Sequence, residues 1–198
     1  MNFFKDIHRF KNKIALYSKN IQYSFNELVN FKSYLPPEIK ERALVALICE
    51  NKFEVIASYV SLIRMNCVLI LIDSNLANEN IKKIINTYNP DYIFNLNRLI
   101  NFNLRYETVS NNKKFQILKI KNINNYKINK KLILLLPTSG STGSSKYIRL
   151  SNENIVINSK QIINSLKIKD SDRSITTMPL NYTYGMSILN THLISGSS

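Results

Sequence analysis

The sequence predicts an α/β fold in which a mostly parallel β-sheet is flanked by helices. Continuous apolar runs cover Ala43–Cys49, Cys67–Ile72 and Asp91–Leu96, and stretches with helical spacing of apolar residues separate them. A strand–helix–strand alternation of this length predicts right-handed crossovers between parallel strands. Apolar runs without alternation indicate strands buried on both faces. We therefore expect these three segments to be neighbouring buried strands.

The first forty residues predict a hairpin followed by a helix. Residues 15–17 and 21–23 have the alternating pattern of two short strands. Ser24 and Glu27 have the spacing of a capping box, which predicts that a helix starts at Phe25 and runs to about residue 35. Pro36 and Pro37 are expected to end that helix.

Three further helices and two further strands are predicted. Residues 51–64 and 78–88 carry apolar side chains at helical spacing. Residues 131–136 form another apolar strand, and 147–150 a short strand after a loop. Ser151 is a plausible N-cap for a helix that ends near residue 166. The apolar residues expected to face inward on it are Ile155, Ile162, Ile163 and Leu166.

The composition is that of a globular protein. The chain has 198 residues, of which 44% are hydrophobic and 20% charged, and its longest apolar run is too short to span a bilayer. The N-terminus has no apolar signal region. Cys49 and Cys67 are isolated in apolar surroundings and are interpreted as buried residues of a reduced compartment, not as metal ligands. We expect a cytoplasmic protein without a membrane span.

The net charge of +14 raises the hypothesis of a nucleic-acid-binding module. Lysine outnumbers arginine 20 to 7, and the codons of lysine, asparagine and isoleucine are all A/T-rich, so base composition explains the excess. The most basic segment, residues 111–131, has the pattern of a solvated loop or edge. We expect no nucleic-acid partner; strong salt-dependent binding of DNA or RNA would favour one.

One loop carries the strongest functional signal. Residues 135–146 read LLPTSGSTGSSK, where a predicted strand leads into a stretch rich in hydroxyl groups and glycine. Such a loop can direct backbone N–H groups and hydroxyls at a phosphate, and Lys146 adds a positive charge. The buried strands on either side argue against a flexible linker. The loop lacks the second glycine and the final Ser/Thr of a P-loop, because Ser145 and Tyr147 occupy those positions.

The loop is similar to the signature of the adenylate-forming (AMP-binding) superfamily, which includes acyl-CoA synthetases, adenylation domains of peptide synthetases and luciferases. That signature reads TSG[ST]TGxPK, and Ser145 stands here in place of its proline. The resemblance implies that the phosphates of ATP are bound by Thr138, Ser139, Gly140, Ser141, Thr142, Gly143, Ser144 and Lys146. It also extends to residues 23–28 and 45–73.

A later stretch, PLNYTYG at residues 179–185, resembles another element of this superfamily. The resemblance implies that Tyr182 lies beside the carboxylate of the substrate and that Gly185 belongs to the same pocket. It implies a reaction in which a carboxylate attacks the α-phosphate of Mg²⁺·ATP to form an acyl-adenylate. Coenzyme A or a carrier protein would then accept the acyl group.

The chain matches the N-terminal part of such a domain over residues 1–198. The superfamily's later elements, among them a Mg²⁺-binding acid, a ribose-binding aspartate and a catalytic lysine, have no counterpart here, and no acid follows Asp172. The catalytic residues are thus unknown. We expect either the N-terminal fragment of an ATP-dependent carboxylate-activating ligase or a non-catalytic product of a truncated or split gene.

We predict that these 198 residues alone do not form acyl-adenylates. Loss of one electrostatic contact in an active site typically costs about 3–4 kcal/mol, or ~10²–10³ in rate, and at least two such contacts have no counterpart here. Carboxylate-dependent ATP–pyrophosphate exchange tests this. Exchange clearly above that of a Lys146→Ala, Thr142→Ala variant would contradict the prediction.

Overall fold

The computed structural model describes residues 3–95, 102, 105–111, 115–121, 127–138 and 146–198. The strands in these ranges are β1 Ile14–Ser18, β2 Ile21–Ser24, β3 Leu44–Cys49, β4 Val68–Asp73, β5 Tyr92–Asn95, β6 Tyr106–Asn111, β7 Gln116–Ile120, β8 Leu132–Pro137 and β9 Tyr147–Ser151. The α-helices are α1 Phe25–Asn30, α2 Phe53–Arg64, α3 Asn78–Tyr88, α4 Asn152–Leu166 and α5 Thr183–Ser195, and short 3₁₀ helices cover Ile7–Phe10 and Phe31–Tyr34.

The main sheet has a parallel centre and antiparallel edges. Its seven strands lie in the order β6-β7-β5-β3-β4-β8-β9. The pairs β5–β3, β3–β4 and β4–β8 are parallel. The pairs β6–β7 and β7–β5 on one side of the sheet, and β8–β9 on the other, are antiparallel. The α/β prediction is confirmed, and the three predicted strands are neighbours. The third ends at Asn95 in the structure, and Leu96 lies outside the described residues.

Helices cover both faces of the sheet. Alternate residues of β3 and β4, such as Leu47 and Leu71, belong to the same buried cluster as α2. The intervening residues, such as Ile48 and Ile70, pack with Ile81 of α3 on the other face. Every residue of β3 is buried. This two-sided burial explains why these strands appear as unbroken apolar runs in the sequence.

The predicted hairpin, the predicted capping box at Ser24 and the predicted N-cap at Ser151 are present. Strands β1 and β2 pair antiparallel. The Ser24 Oγ accepts a hydrogen bond from the Glu27 backbone N–H (3.2 Å), and the Glu27 carboxylate accepts one from the Ser24 backbone N–H (2.7 Å). Ser151 makes the same box with Asn154 at the start of α4. Helix α1 is shorter than predicted, because the chain tightens into a 3₁₀ turn after Asn30, as helix ends often do.

One predicted core position is wrong. Leu166 is 70% exposed, whereas Ile155 near the start of the same helix is buried. Leu166 is the last residue of α4 and precedes Lys167, which has a φ of 54° and ends the helix. The periodic apolar pattern therefore extends beyond the part of α4 that packs on the core.

Both cysteines are buried and unpaired, as their apolar surroundings predicted. Burial raises the pKa of the Cys67 thiol to about 12, so this side chain stays a neutral, unreactive thiol at physiological pH. Among the described residues, no helix has the length and apolar character needed to cross a membrane.

We predict that Ile70→Ala lowers the free energy of unfolding by about 2–5 kcal/mol, because Ile70 is fully buried between two parallel neighbours and a cavity would remain. Urea denaturation measures the change. The matched control is Ile157→Ala on α4, where the side chain is 49% exposed and the expected change is within about 0.5 kcal/mol. Equal losses for the two variants would contradict the assigned core.

Candidate functional site at the carboxyl edge of the sheet

The parallel strands direct several polar segments to one edge of the sheet. Strands β3, β4, β5 and β8 run in the same direction, so Cys49, Asp73, Asn95 and Pro137 end side by side. In open α/β sheets, ligands bind outside the carboxyl ends of the strands. The hydroxyl-rich loop begins at this edge, directly after β8.

The loop is closed at its base by a hairpin. Strands β8 and β9 pair antiparallel up to Pro137 and Tyr147. The Thr138 backbone N–H donates to the Lys146 carbonyl oxygen (2.8 Å), and the Thr138 Oγ1 donates to the same oxygen (3.1 Å). The two strands that we predicted on either side of the loop are therefore confirmed. Thr138 and Lys146 are exposed. The rest of the loop, with Ser139, Gly140, Ser141, Thr142, Gly143 and Ser144, lies outside the described residues.

Lys146 supplies an uncompensated positive charge at the end of this hairpin. Among the described residues, its side chain makes no hydrogen bond or ion pair. No acid occurs between residues 131 and 152. Asp73, at the end of the adjacent strand β4, accepts a hydrogen bond from the Asn75 backbone N–H through its Oδ1 (2.8 Å). A lysine beside hydroxyl groups and backbone N–H groups is a donor set suited to an anion.

Tyr147, which begins β9 directly after Lys146, carries a buried hydroxyl group. Its ring packs edge-to-face against Tyr88, with 5.2 Å between the ring centroids. The hydroxyl oxygen has no hydrogen-bond partner among the described residues. Burial raises the pKa of Tyr147, and Tyr88, Cys49 and Asp73 raise it further, so the phenol stays a neutral O–H donor. This hydroxyl could not be singled out from the sequence, because a tyrosine that begins a strand is common.

Asn51 brings the segment before α5 to the same edge. It follows the carboxyl end of β3, and its Nδ2 donates to the carbonyl oxygens of Thr176 (3.2 Å) and Met178 (3.4 Å). Strand β4 alone separates β3 from β8 in the sheet. With roughly 4.8 Å between neighbouring strands, this tether lies on the order of 10 Å from the strand that carries the loop.

Tyr182 and Gly185, the predicted pocket residues, lie at the start of α5. Tyr182 is the N-cap residue, is 42% exposed, and donates from its backbone N–H to the Pro179 carbonyl oxygen (3.0 Å). Gly185 is in the first turn. A Cβ atom there would lie 2.4 Å from the Pro179 oxygen and 2.6 Å from the Met178 oxygen. Only glycine permits this close return of the chain.

Asn181, beside Tyr182, is a polar residue that sequence reasoning missed. It is 2% exposed, and its Oδ1 has no hydrogen-bond partner among the described residues. A buried acceptor without a partner is costly, which marks it as a candidate contact for a bound group. No signal in the sequence could have identified it, because its burial follows from tertiary packing. For metals, the described part of the chain has no group of three or more His, Cys, Asp and Glu side chains that could hold an ion.

Together these features define an α/β protein whose sequence places a hydroxyl-rich loop after β8, at the carboxyl edge of its sheet. The sequence profile of the AMP-binding enzyme family matches residues 3–198. The chain belongs to that family, and the resemblance seen in the loop is confirmed. No curated protein sequence matches the chain.

Solved structures of adenylate-forming proteins share the fold. Apo MatB from Rhodopseudomonas palustris superposes with a TM-score of 0.73 at 16% identity, and this chain covers 44% of it. VinN in complex with 3-methylaspartate gives 0.77 at 14% identity and 59% of its length. O-succinylbenzoate coenzyme A synthetase (MenE) from Bacillus subtilis, in complex with AMP, gives 0.72 at 15% identity and 54%. Of this chain, 100%, 98% and 99% are covered respectively. The chain thus spans about half the length of these structures.

We predict that Gly185→Ala lowers the free energy of unfolding by about 1–3 kcal/mol, the usual cost of overpacking, because the added methyl group would collide with two backbone oxygens. Thermal unfolding measures the change. Ser187→Ala, half a turn further along α5 and half-exposed, is the control and should change little. A Gly185→Ala protein as stable as the control would show that the turn is not packed as described.

Proposed function

We propose that residues 1–198 form the N-terminal, phosphate-binding part of an ATP-dependent carboxylate-activating ligase. The observation that carries the proposal is the loop after β8, which is held at its base by Thr138 and Lys146. The Lys146 ammonium group has no partner among the described residues, and the loop sequence before it is rich in hydroxyl groups. Its position at the carboxyl edge of a parallel sheet is where such folds bind ligands.

The solved structures with this fold support the proposal. MatB has been solved with ATP bound, and MenE is a coenzyme A synthetase in complex with AMP. VinN has been solved with 3-methylaspartate and with L-aspartate, both of which carry carboxylates. A nucleotide and a carboxylic acid are therefore the substrates that we propose for this chain.

The two anions must be brought together against their mutual repulsion. In the proposed reaction, a carboxylate oxygen attacks the α-phosphorus of ATP, and the bond to the β-phosphate breaks to release pyrophosphate. Residues 138–146 would bind the β- and γ-phosphates through backbone N–H groups, hydroxyls and the Lys146 ammonium, which offsets the charge on the leaving pyrophosphate.

The segment that leads into α5 would hold the carboxylic acid. Tyr182 is exposed at the N-cap, with its side chain available for a ligand, and Gly185 sets the path of the backbone beside it. Asn51 fixes this segment at the end of β3, on the same edge as the loop. The acyl-adenylate would pass its acyl group to a thiol, either coenzyme A or a carrier protein.

Mg²⁺ accompanies ATP in most phosphoryl-type chemistry, where it neutralises phosphate charge and is held through phosphate oxygens, water and one or two carboxylates. The described residues offer no cluster of three or more candidate ligands. We therefore assign the ion no protein ligands in this chain and derive no step from it.

We predict that the chain binds ATP and that Lys146→Ala weakens binding about tenfold or more, because a charge-assisted contact to phosphate is typically worth about 1.5–3 kcal/mol. Isothermal titration calorimetry measures the dissociation constant. Lys160→Ala is the control: this lysine is exposed on α4 and does not belong to residues 138–146, and its loss should change the affinity less than twofold.

Equal weakening by the two substitutions would mean that ATP is attracted by net charge alone. No measurable ATP binding by a folded chain would contradict the proposed role of the loop.

A further inference from the structure

A basic cavity lies at the amino edge of the sheet, where the parallel strands begin, opposite to the edge that carries the hydroxyl-rich loop. It has a volume of about 480 Å³ and is lined by residues where the strands begin: Arg42 precedes β3, Asn66 precedes β4, Lys130 and Lys131 precede β8, and Ser151 ends β9. The six residues of β8 separate it from the hydroxyl-rich loop, a distance of about 20 Å at ~3.3 Å per residue. It is therefore distinct from the site described above.

Arg64 directs a buried donor without an acceptor into this cavity. The half-buried side chain is the last residue of α2, and its Nη1 is shielded from solvent with no hydrogen-bond partner among the described residues. Partial burial lowers the pKa of its guanidinium. A position in the last turn suits the helix dipole, but that does not satisfy a desolvated N–H donor. A bound anion would satisfy it.

Arg42 is fixed at the wall of the same cavity. Its Nη2 donates to the carbonyl oxygens of Asn129 (2.9 Å) and Leu132 (2.7 Å). These bonds hold the guanidinium in place but leave its positive charge without a carboxylate partner within the described residues. The side chain is thus preorganised at the start of β8, with little rotational freedom to lose when an anion binds.

The charge of the lining is strongly positive. Lys130 and Lys131 are exposed at the rim and make no ion pair with a described residue, and the one carboxylate in the lining is that of Glu153. The backbone N–H groups at the start of α4 add partial positive charge. Base composition explains the abundance of lysine, but not the convergence of two of only seven arginines on one cavity.

We propose that this cavity binds a small molecule that carries a phosphate or pyrophosphate group, independently of the ATP phosphates at the loop. Its volume is within the usual range of about 300–1,000 Å³ for small-molecule sites. Arginine is suited to this chemistry, since its planar fork of N–H donors matches two oxygens of a phosphate.

Titration with inorganic pyrophosphate tests the proposal. The measurement uses the Lys146→Ala, Thr142→Ala chain, in which the loop site is weakened, and follows both heat and amide hydrogen exchange. We expect one pyrophosphate per chain and slower exchange at residues 130–132 and 151–154. Adding Arg64→Gln should weaken binding about tenfold or more. Adding Lys127→Gln removes an exposed lysine outside the cavity lining and should change the affinity less than twofold.

Circular dichroism shows whether the Arg64→Gln variant is folded. If it is not, a second variant provides the test. Lys130→Gln, Lys131→Gln changes two exposed side chains and should weaken binding severalfold while the chain stays folded. A second titration with ADP in place of pyrophosphate distinguishes the source of the phosphate. If Arg64→Gln weakens the binding of ADP and of pyrophosphate equally, the ligand is a nucleotide. If Arg64→Gln weakens the binding of pyrophosphate alone, the ligand is a compact phosphate compound. Absence of saturable binding, or equal weakening by Lys127→Gln, would overturn the proposal.

Discussion

The parallel pairing of β3, β4 and β8 is the constraint on which the other features depend. Because the three strands run in one direction, their carboxyl ends meet at one edge, and the loop after β8 emerges beside Asp73 and the segment that Asn51 tethers. The strands are held in register by burial on both faces, with α2 on one side and α3 on the other. The core thus positions the strand ends between which the loop begins and ends.

The carboxyl and amino edges of this sheet differ in the exposure of their positively charged side chains. At the carboxyl edge, Lys146 is exposed beside a loop of short polar side chains, an arrangement suited to a ligand that enters and leaves. At the amino edge, Arg42 and Arg64 are held partly out of solvent, and Arg42 is fixed by two backbone oxygens. A guanidinium that is already held in place suits bidentate binding of phosphate oxygens better than a lysine ammonium group does.

Much of this architecture could be predicted from the sequence, because local signals and tertiary burial agree. The capping boxes at Ser24 and Ser151 fixed the starts of two helices, and the unbroken apolar runs identified the central strands. The loop was identified from the sequence because its serine, threonine, glycine and lysine residues have the spacing of the superfamily signature. The exposure of Leu166 was not predictable, since this residue fits the apolar period of α4 yet is 70% exposed.

Contacts between residues that are distant in the sequence could not be predicted from it. Asn51 and Thr176 are 125 residues apart in the chain, and only the fold brings them together. The Tyr147 hydroxyl and the Asn181 amide oxygen, which have no hydrogen-bond partner in the part of the chain that the structure describes, are likewise buried by packing. The same holds for the basic cavity, because Arg42, Arg64 and Lys131 meet only after three strands have aligned their amino ends.

The most direct test of the central claim is a crystal structure of the chain with a non-hydrolysable ATP analogue. We expect the β- and γ-phosphates to lie against residues 138–146 at the carboxyl end of β8, within hydrogen-bond distance of loop N–H groups and Lys146 Nζ. Phosphates bound only at the amino edge, beside Arg64, would contradict the assignment of the loop as the ATP site.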